Sequence, residues 1–353
     1  MSPVFPLRAG RSWVVAALAL VGCAATPKPI FEPLDPPLVW PPAPSPARIR
    51  YVGALRTSDD LKPPRSAWET LGRILVGPPK PQPLYGPRAV VCTRDGSRVW
   101  IADPGGRCLH LFDLDRRHYA QVRRMAQAPL LSPVGLCLGP GDSIFVCDSE
   151  QNAIFRLDGR DGRLIDALEL PIELQRPAGV YYDDTRGELF VVDVTAHNVK
   201  VLDMHGSPVR TIGRRGVSPG EFNFPSAITG RDGLLWIADT GNHRVQALTV
   251  MGEPVTMFGR AGDAPGDLAL PKGLAMDPYN HLYVVDGRFE NVQVFDRTGR
   301  LLLFWGEEGG APGNFWLPAG IFIDGNGRIW VCDTYNRRVQ VFDYLEGADD
   351  GVE

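Results

Sequence analysis

The chain has 353 residues, of which 44% are hydrophobic and 22% charged, so it holds enough apolar material for a large core and is not a disordered tail. The net charge of −4 argues against nucleic acid as the main partner, because phosphate backbones are bound by concentrated basic faces. The 39 glycines and 33 prolines, without a Gly-X-Y period, indicate many turns and therefore many short strands.

The first 22 residues have the features of a secretory signal. Arg8 and Arg11 precede an apolar stretch, 13–21, that is too short to span a bilayer as a mature helix. The run Leu-Val-Gly-Cys at 20–23 resembles the lipobox of bacterial lipoproteins, which implies acylation of Cys23. Ala24 follows where an aspartate would favour the inner membrane, so the resemblance implies an outer-membrane lipoprotein, facing the periplasm or the surface. An ordinary signal peptide that ends near a cysteine is the alternative.

Three short segments follow before the main domain. Residues 23–47 are rich in proline, which favours extended polyproline II and predicts a semi-rigid stalk, with plain disorder as the alternative. Residues 48–55 have the composition of a single strand. A capping box that starts at Ser66 and a Gly-Pro stop at 77–78 predict a short helix over 66–77.

From about residue 87 the sequence repeats six times. In each repeat an apolar strand ends in an aspartate, and a proline followed by one residue and then Ala or Gly lies upstream. A small residue there suits an innermost strand, where backbones crowd together. The six aspartates, spaced by 45 to 47 residues, are Asp103, Asp148, Asp193, Asp239, Asp286 and Asp333.

Each repeat has the pattern of four antiparallel strands, which is typical of a propeller blade. A linear β-solenoid is the alternative, but the ends of the chain argue against it. The sixth repeat lacks a fourth strand and runs into an acidic tail, 346–353, whereas the strand at 48–55 has no sheet of its own. The prediction is an all-β, six-bladed β-propeller over 48–345, closed by the N-terminal strand.

Two stretches identify a family resemblance. The runs Asp-Thr-Gly-Asn-His-Arg-Val-Gln at 239–246 and Asp-Thr-Tyr-Asn-Arg-Arg-Val-Gln at 333–340 resemble the signature of NHL repeats. The resemblance covers 48–343 and is strongest from residue 205. Known NHL propellers include protein- and RNA-binding domains and a peptide-amidating lyase, and wider six-bladed relatives include calcium-dependent lactonases and a streptogramin lyase. The resemblance therefore implies the fold and leaves the function open.

Comparing the six repeats distinguishes structural residues, which occur in every repeat, from candidate functional residues, which do not. Because the six aspartates occur in every repeat, we interpret them as structural acceptors of backbone N–H groups in the loop after the second strand. Functional residues are expected where the repeats differ, on the face that carries the linkers between blades. The five cysteines after Cys23 lie in apolar runs and are predicted to be small buried hydrophobes.

No enzymatic site is predicted. A zinc lyase needs histidines that converge on the channel, and a calcium lactonase needs acids and amides there, yet the predicted innermost strands supply almost none. We therefore predict no catalytic residue, no metal site and no cofactor, with zinc or calcium possible only under the enzyme alternative. His197 and His243 share a position four after the aspartate and are candidate contacts on surface loops.

Cations form the remaining candidates for partner binding. Arg88 and Lys272 follow their strand prolines, where the other repeats carry Val, Ala or Ser, so both are predicted to rim the channel mouth. Arg116 and Arg117 make the outer part of the first repeat basic. These charges indicate either an ordinary solvated face or a contact for an acidic protein or polysaccharide.

The leading hypothesis is an envelope-anchored, non-catalytic propeller that binds or scaffolds a protein or glycan partner. Its membrane contact is through the lipid anchor only. The alternative is a divergent lyase or hydrolase of the peptide-amidating or lactonase type, with or without a metal. A purely structural spacer is a third possibility.

Overall fold

The computed structural model describes residues 28–63 and 80–345, which form six blade sheets and one two-stranded sheet. The predicted signal peptide (1–22), Cys23, the predicted helix (66–77) and the acidic tail (346–353) lie outside the described residues. Within the two described ranges, no helix combines the length and apolar character needed to cross a membrane.

The first three blades each contain four antiparallel strands in chain order from the inside outward. In blade one they are Ala89–Cys92, Arg98–Asp103, Cys108–Asp113 and His118–Val122. In blade two they are Pro133–Leu138, Ser143–Asp148, Ala153–Asp158 and Leu164–Ala167. In blade three they are Pro177–Asp183, Glu188–Asp193, Asn198–Asp203 and Pro208–Ile212. A small hairpin, Arg124–Met125 with Ala128–Pro129, joins blades one and two.

The last three blades repeat the pattern with one difference at the end. Blade four comprises Ala227–Arg231, Leu234–Asp239, Arg244–Thr249 and Pro254–Phe258. Blade five comprises Pro271–Met276, Leu282–Asp286, Asn291–Phe295 and Leu301–Trp305. Blade six comprises Ile321–Ile323, Arg328–Asp333 and Arg338–Tyr344, and takes its outer strands Ile49–Leu55 and Val39–Trp40 from the start of the chain. The 3-10 turns are Ser58–Leu61, Pro140–Asp142 and Thr240–Asn242.

The closure predicted from the sequence is confirmed. The strand Ile49–Leu55 pairs antiparallel with Arg338–Tyr344, with Tyr51 opposite Phe342 and Leu55 opposite Val339. The first strands of the six blades also contact one another in a closed ring, including the contact between blades six and one. The protein is therefore a six-bladed β-propeller and not a linear solenoid.

Close approach of neighbouring backbones explains the small residue near the start of each first strand. A Cβ on Gly135 would collide with the carbonyl oxygen of Ala178 in the next blade, and one on Gly320 with the carbonyl oxygen of Arg88. Backbones this close leave no room for a side chain.

The hydrophobic core is divided into six clusters, and each joins two neighbouring blades. In one of them Trp100 of blade one packs with Ile144 and Val146 of blade two. Its indole Nε1–H donates to the carbonyl oxygen of Gly159 at 2.8 Å, so the ring buries its polar atom with a partner. Every blade thus covers the face of the next, as a repeat that cannot bury its own apolar face requires.

The described part of the segment predicted as a stalk, residues 28–47, lies against the propeller. The ring of Phe31 packs edge-on against Trp330 at 6.1 Å, and Trp40 packs edge-on against Phe342 at 6.0 Å. The carbonyl oxygen of Lys28 accepts a hydrogen bond from Arg117 at 2.8 Å. The proline count predicted an extended spacer, but the aromatic side chains between the prolines bury themselves on blade six, which fixes this part of the segment in place.

Candidate functional site

The propeller has two different faces. One face carries the linkers between blades, such as 213–226, and the loops after the second strands, such as 240–243. We call it the linker face. We call the turn face the opposite one, which carries the hairpins between first and second and between third and fourth strands. The first strands begin at the linker face, so residues beside the strand prolines surround the channel mouth there.

Three cations share that mouth, and we call Arg88, Arg176 and Lys272 the cationic mouth. They line one cavity of about 400 Å³ on the linker face. The three side chains belong to blades one, three and five, so they come from every second blade around the ring. The sequence predicted that Arg88 and Lys272 rim the channel, and both line this cavity.

Sequence reasoning missed Arg176. It precedes Pro177, whereas Arg88 and Lys272 follow their prolines, so a comparison of one repeat position left it out. Its backbone N–H donates to the carboxylate of Asp193 at 2.9 Å, which fixes the linker from which its exposed side chain extends. Comparing both residues that flank each proline would have found it.

The charges of the cationic mouth are not neutralised by the protein around them. Among the described residues, none of the three side chains forms an ion pair or hydrogen bond, and no carboxylate lines the cavity. Burial, followed by the positive charges of Arg88 and Arg176, lowers the pKa of Lys272 from 10.5 to about 8. Burial and Arg176 also lower the pKa of Arg88. Like charges held this close favour the binding of an anion.

The rest of the cavity wall is neutral. The hydroxyls of Ser226 and Thr240 bond to each other at 2.7 Å, and Thr240 also donates to the carbonyl oxygen of Pro271 at 2.7 Å. Ser132 and Ser149 form a similar pair on the other side, at 3.2 Å. Phe224 adds an aromatic ring that is 46% exposed. The cavity therefore offers polar and aromatic surface around the three cations.

Each repeat aspartate is fully buried and holds the linker above it. Asp103 accepts the N–H groups of Tyr85 at 2.6 Å and of Gly86 at 3.0 Å, close to Arg88. Burial opposes ionisation of Asp103, but bonds from His110, Tyr85 and Gly106 outweigh it and lower the pKa. The main bonds go to the linker before the first strand as well as to the loop after the second, where the sequence placed them. These carboxylates thus position the rim of the channel.

In the repeats with the NHL signature the aspartate also holds a buried cation. Arg338, 1% exposed, donates to Asp333 at 2.6 Å. Gln340 and Asn336 donate to the same carboxylate, at 3.0 Å and 2.9 Å. The guanidinium of Arg338 also donates to three linker carbonyl oxygens. This network ties the linker to blade six, so its function is structural.

The remaining predicted contacts lie elsewhere. The Nδ1 of His197 accepts the N–H of Phe224 at 3.0 Å, and the Nδ1 of His243 lies 2.8 Å from the carbonyl oxygen of Ala269, so each histidine bonds to the next blade. Arg116 and Arg117 lie in the turn between the third and fourth strands of blade one, on the turn face. None of these four residues lines the cavity of the cationic mouth, but the ring of His197 packs 4.4 Å from that of Phe224, which does.

The channel itself is narrow, and most of its side chains are apolar. It encloses about 90 Å³ between the first strands, with side chains such as Val90, Leu136 and Ile228 along its wall. On the turn face it opens into a cavity of about 520 Å³, where Arg94 is paired with Asp184 at 2.7 Å. Arg231 in the same cavity donates to the carbonyl oxygen of Asp277 at 3.0 Å, so cations whose side chains have no hydrogen-bond partner among the described residues distinguish the linker face. No group of three His, Cys, Asp or Glu in the described parts of the chain is arranged to hold a metal ion.

A buried cluster in blade one places Cys108 Sγ 3.3 Å and Asp103 Oδ2 3.2 Å from His110 Nε2. Burial raises the pKa of the Cys108 thiol to about 12, so the thiol stays protonated and is a poor nucleophile. Cys92, Cys147 and Cys332 are buried and unpaired as well, and Cys137 is partly buried.

The ring of six sheets places the chain among six-bladed β-propellers, and comparisons with known proteins add the repeat type. A model of the NHL repeat matches residues 222–248 and 315–342, so the chain carries NHL repeats. NHL repeat-containing protein 2 of Bos taurus is 26% identical over 35% of this chain and 24% of that protein. The chain thus spans about a quarter of this relative's length.

Solved structures with the same fold have different functions. A virginiamycin B lyase from Staphylococcus aureus superimposes with a TM-score of 0.55 at 16% identity, over 74% of this chain and 96% of that one. An auxiliary nutrient binding protein from Bacteroides thetaiotaomicron superimposes with a TM-score of 0.58 at 15% identity, over 74% of this chain and 70% of that one. At these identities the similarity concerns the fold alone.

Proposed function

We propose that this protein is an envelope-anchored, non-catalytic propeller whose linker face binds or scaffolds the acidic part of a protein or glycan partner. The observation that carries the proposal is the cationic mouth. Three cations that form no ion pair among the described residues, in a cavity that no described carboxylate lines, leave a positive potential that a partner's anionic group would neutralise. Groups conserved in every repeat, such as the aspartates, are already used by the scaffold.

A binding function accounts for the channel better than a lyase or hydrolase function does. General acid–base catalysis needs a titratable group positioned at the reacting atoms. Lys272 is a titratable group at the channel mouth, but the described channel wall otherwise carries apolar side chains, glycines, Ser226 and Arg88, and no histidine or carboxylate lines it to act with the lysine. Stoichiometric zinc or tightly bound calcium in the purified protein would favour the enzyme alternative, and metal analysis tests it.

The anchor gives the propeller an orientation. Lys28 lies beside Arg117, which is on the turn face, and it follows Cys23 by five positions. Five residues reach at most about 18 Å when fully extended. With Cys23 acylated in the outer membrane, the turn face therefore lies close to the bilayer, and the cationic mouth on the opposite face is directed toward the partner.

The anchor is tested by expressing the full chain in a bacterial host with labelled palmitate. We expect label and membrane association in the wild type, and loss of both in Cys23→Ser. Orientation is tested on membranes with fluorophores attached to Arg116→Cys and Phe224→Cys. Spin-labelled lipid should quench the fluorophore at position 116 more strongly than that at 224. Equal quenching, or stronger quenching at 224, contradicts the orientation.

Binding is tested with immobilised mature protein and polymers of known charge. Polygalacturonate represents an acidic glycan, polyglutamate an acidic protein segment and dextran a neutral control. We expect at least one acidic polymer to bind, and the double variant Arg88→Gln with Lys272→Gln to weaken this binding. Arg116→Gln removes an exposed cation from the turn face and should leave it unchanged. Equal binding by the double variant and the wild type overturns the proposal.

A further inference from the structure

The positions of the three cations in the cationic mouth say more about the ligand than their positive charge alone does. The three cations come from blades one, three and five, and no cation from blades two, four or six lines the same cavity. The positions are thus spread around the channel axis in an approximately threefold arrangement. Because the three cations line one cavity of about 400 Å³, a single ligand bound in that cavity can contact all three.

Threefold placement of cations suits one kind of anion. A carboxylate has two oxygens and a single charge, which one guanidinium in bidentate geometry satisfies. A phosphate monoester carries a charge of about −1.5 to −2 at neutral pH and has three terminal oxygens, one for each cation. Both arginines present forked donors that match phosphate, and the ammonium of Lys272 adds a point charge.

We infer that the cationic mouth binds the phosphate group of a sugar phosphate, with the phosphate held among Arg88, Arg176 and Lys272. This rests on the proposed function and names its ligand. The phosphate fills only part of the cavity, and the remaining wall suits a saccharide. Phe224 presents an exposed ring on which the apolar face of a sugar stacks, and the carbonyl and hydroxyl groups near Ser226 are hydrogen-bond partners for sugar hydroxyls.

The two ends of the channel support the choice of this face. On the turn face, Arg94 is occupied by Asp142 at 3.3 Å and Asp184 at 2.7 Å. An anion there would have to displace a carboxylate. On the linker face, no carboxylate among the described residues lines the cavity, so the partly buried Arg88 and Lys272 and the exposed Arg176 can bind an incoming phosphate without losing a partner.

The inference is tested by isothermal titration calorimetry on the mature full-length protein in phosphate-free buffer. The probes are glucose 1-phosphate, inorganic phosphate, phosphoserine, glucuronate and glucose. We expect glucose 1-phosphate to bind most tightly and glucose not to bind. Arg88→Met, Arg176→Gln and Lys272→Met should each weaken that binding about tenfold or more, since each removes a charge-assisted contact. Phe224→Ala should weaken glucose 1-phosphate but not inorganic phosphate.

The outcomes separate this inference from the proposed function. Equal affinity for inorganic phosphate and glucose 1-phosphate overturns the claim that the cavity binds the sugar, while the phosphate site stands. Tighter binding of phosphoserine overturns the saccharide in favour of a phosphorylated protein. Binding of glucuronate without either phosphate overturns the phosphate site, while acidic-partner binding stands. If no probe binds but polygalacturonate or polyglutamate is still captured through Arg88 and Lys272, only this inference fails. If the polymers also fail, the proposed function fails with it.

Discussion

Replacing Lys272 by methionine should make the protein more stable, which is unusual for a partly buried residue at a packed position. Burial and the charges of Arg88 and Arg176 lower the pKa of Lys272 from 10.5 to about 8, a difference that corresponds to roughly 3 kcal/mol. The side chain is only partly buried, so solvent screening reduces this to about 1–2 kcal/mol. Methionine keeps the apolar stem and removes the charge. At pH 7 the variant should be more stable by that amount.

The pH dependence shows whether the charge of Lys272 raises or lowers the stability of the folded protein. At pH 7 Lys272 is mostly charged in the folded state and fully charged in the unfolded state, so folding carries the cost of confining the charge. Between pH 8 and 10.5 the folded state releases its proton first, and the wild type gains stability relative to the variant as pH rises. The advantage of Lys272→Met should therefore shrink across that window and be nearly lost above it.

Denaturant unfolding of wild type and variant at pH 7, 8, 9 and 10 measures this difference, and other titrating groups cancel in the comparison. Arg116→Met, on the exposed turn face, is the matched control and should change stability by less than about 0.5 kcal/mol. A Lys272→Met protein that is less stable at pH 7 would show that the lysine is part of the scaffold. A difference that is constant from pH 7 to 10 would refute the pKa argument.

Four further results are expected. Asp333→Ala leaves the buried guanidinium of Arg338 without its carboxylate and should lower the free energy of unfolding by about 3–5 kcal/mol. Gly320→Ala places a Cβ against a carbonyl oxygen of blade one and should cost about 1–3 kcal/mol, with weaker anion binding because the rim moves. Leu55→Asp puts a charge at a fully buried position of the closing strand and should prevent stable closure, seen as a large fall in melting temperature. Anion binding should weaken as pH rises through about 8, because Lys272 loses its charge while both arginines keep theirs.

Each of these has an outcome that contradicts it. A cost below about 1 kcal/mol for Asp333→Ala would mean that Arg338 finds another anion or solvent. Unchanged unfolding of Gly320→Ala would mean that the blades separate easily at the channel. If the Leu55→Asp protein has the melting temperature of the wild type, the closing strand does not take part in the cooperative unfolding of the propeller. Binding that stays constant from pH 7 to 9 would exclude Lys272 from the anion site.

The fold was predictable because each repeat contains several sequence patterns that indicate the same blade structure. The aspartate spacing, the small residue at the channel and the strand at 48–55 without a sheet specified six blades and their closure, and Ile49–Leu55 pairs with Arg338–Tyr344 as expected. Each pattern occupies one or two positions of a repeat, although its physical cause can be a contact with the next blade, such as the collision of a Cβ on Gly135 with Ala178. Repetition then makes each pattern visible six times.

The site was only partly predictable, because it depends on contacts between blades. Arg176 and Lys272 are 96 positions apart in sequence, and only the closed ring brings them into one cavity. His197 looked like a surface contact, but its ring accepts a backbone N–H from the next blade. Proline content around Trp40 suggested a spacer, whereas the indole packs on Phe342. In each case the outcome depends on which part of the folded protein the side chain contacts.

The cationic mouth as an anion site is tested most directly by the titration of Lys272 itself. The chain has five lysines, so ¹³C-dimethylated protein gives few resonances, and Lys272→Met assigns the one of interest. We predict that this resonance titrates near pH 8 in buffer without oxyanions and moves to higher pH when glucose 1-phosphate is added. Titration near the ordinary value of 10.5, or a midpoint that no anion displaces, would contradict the account.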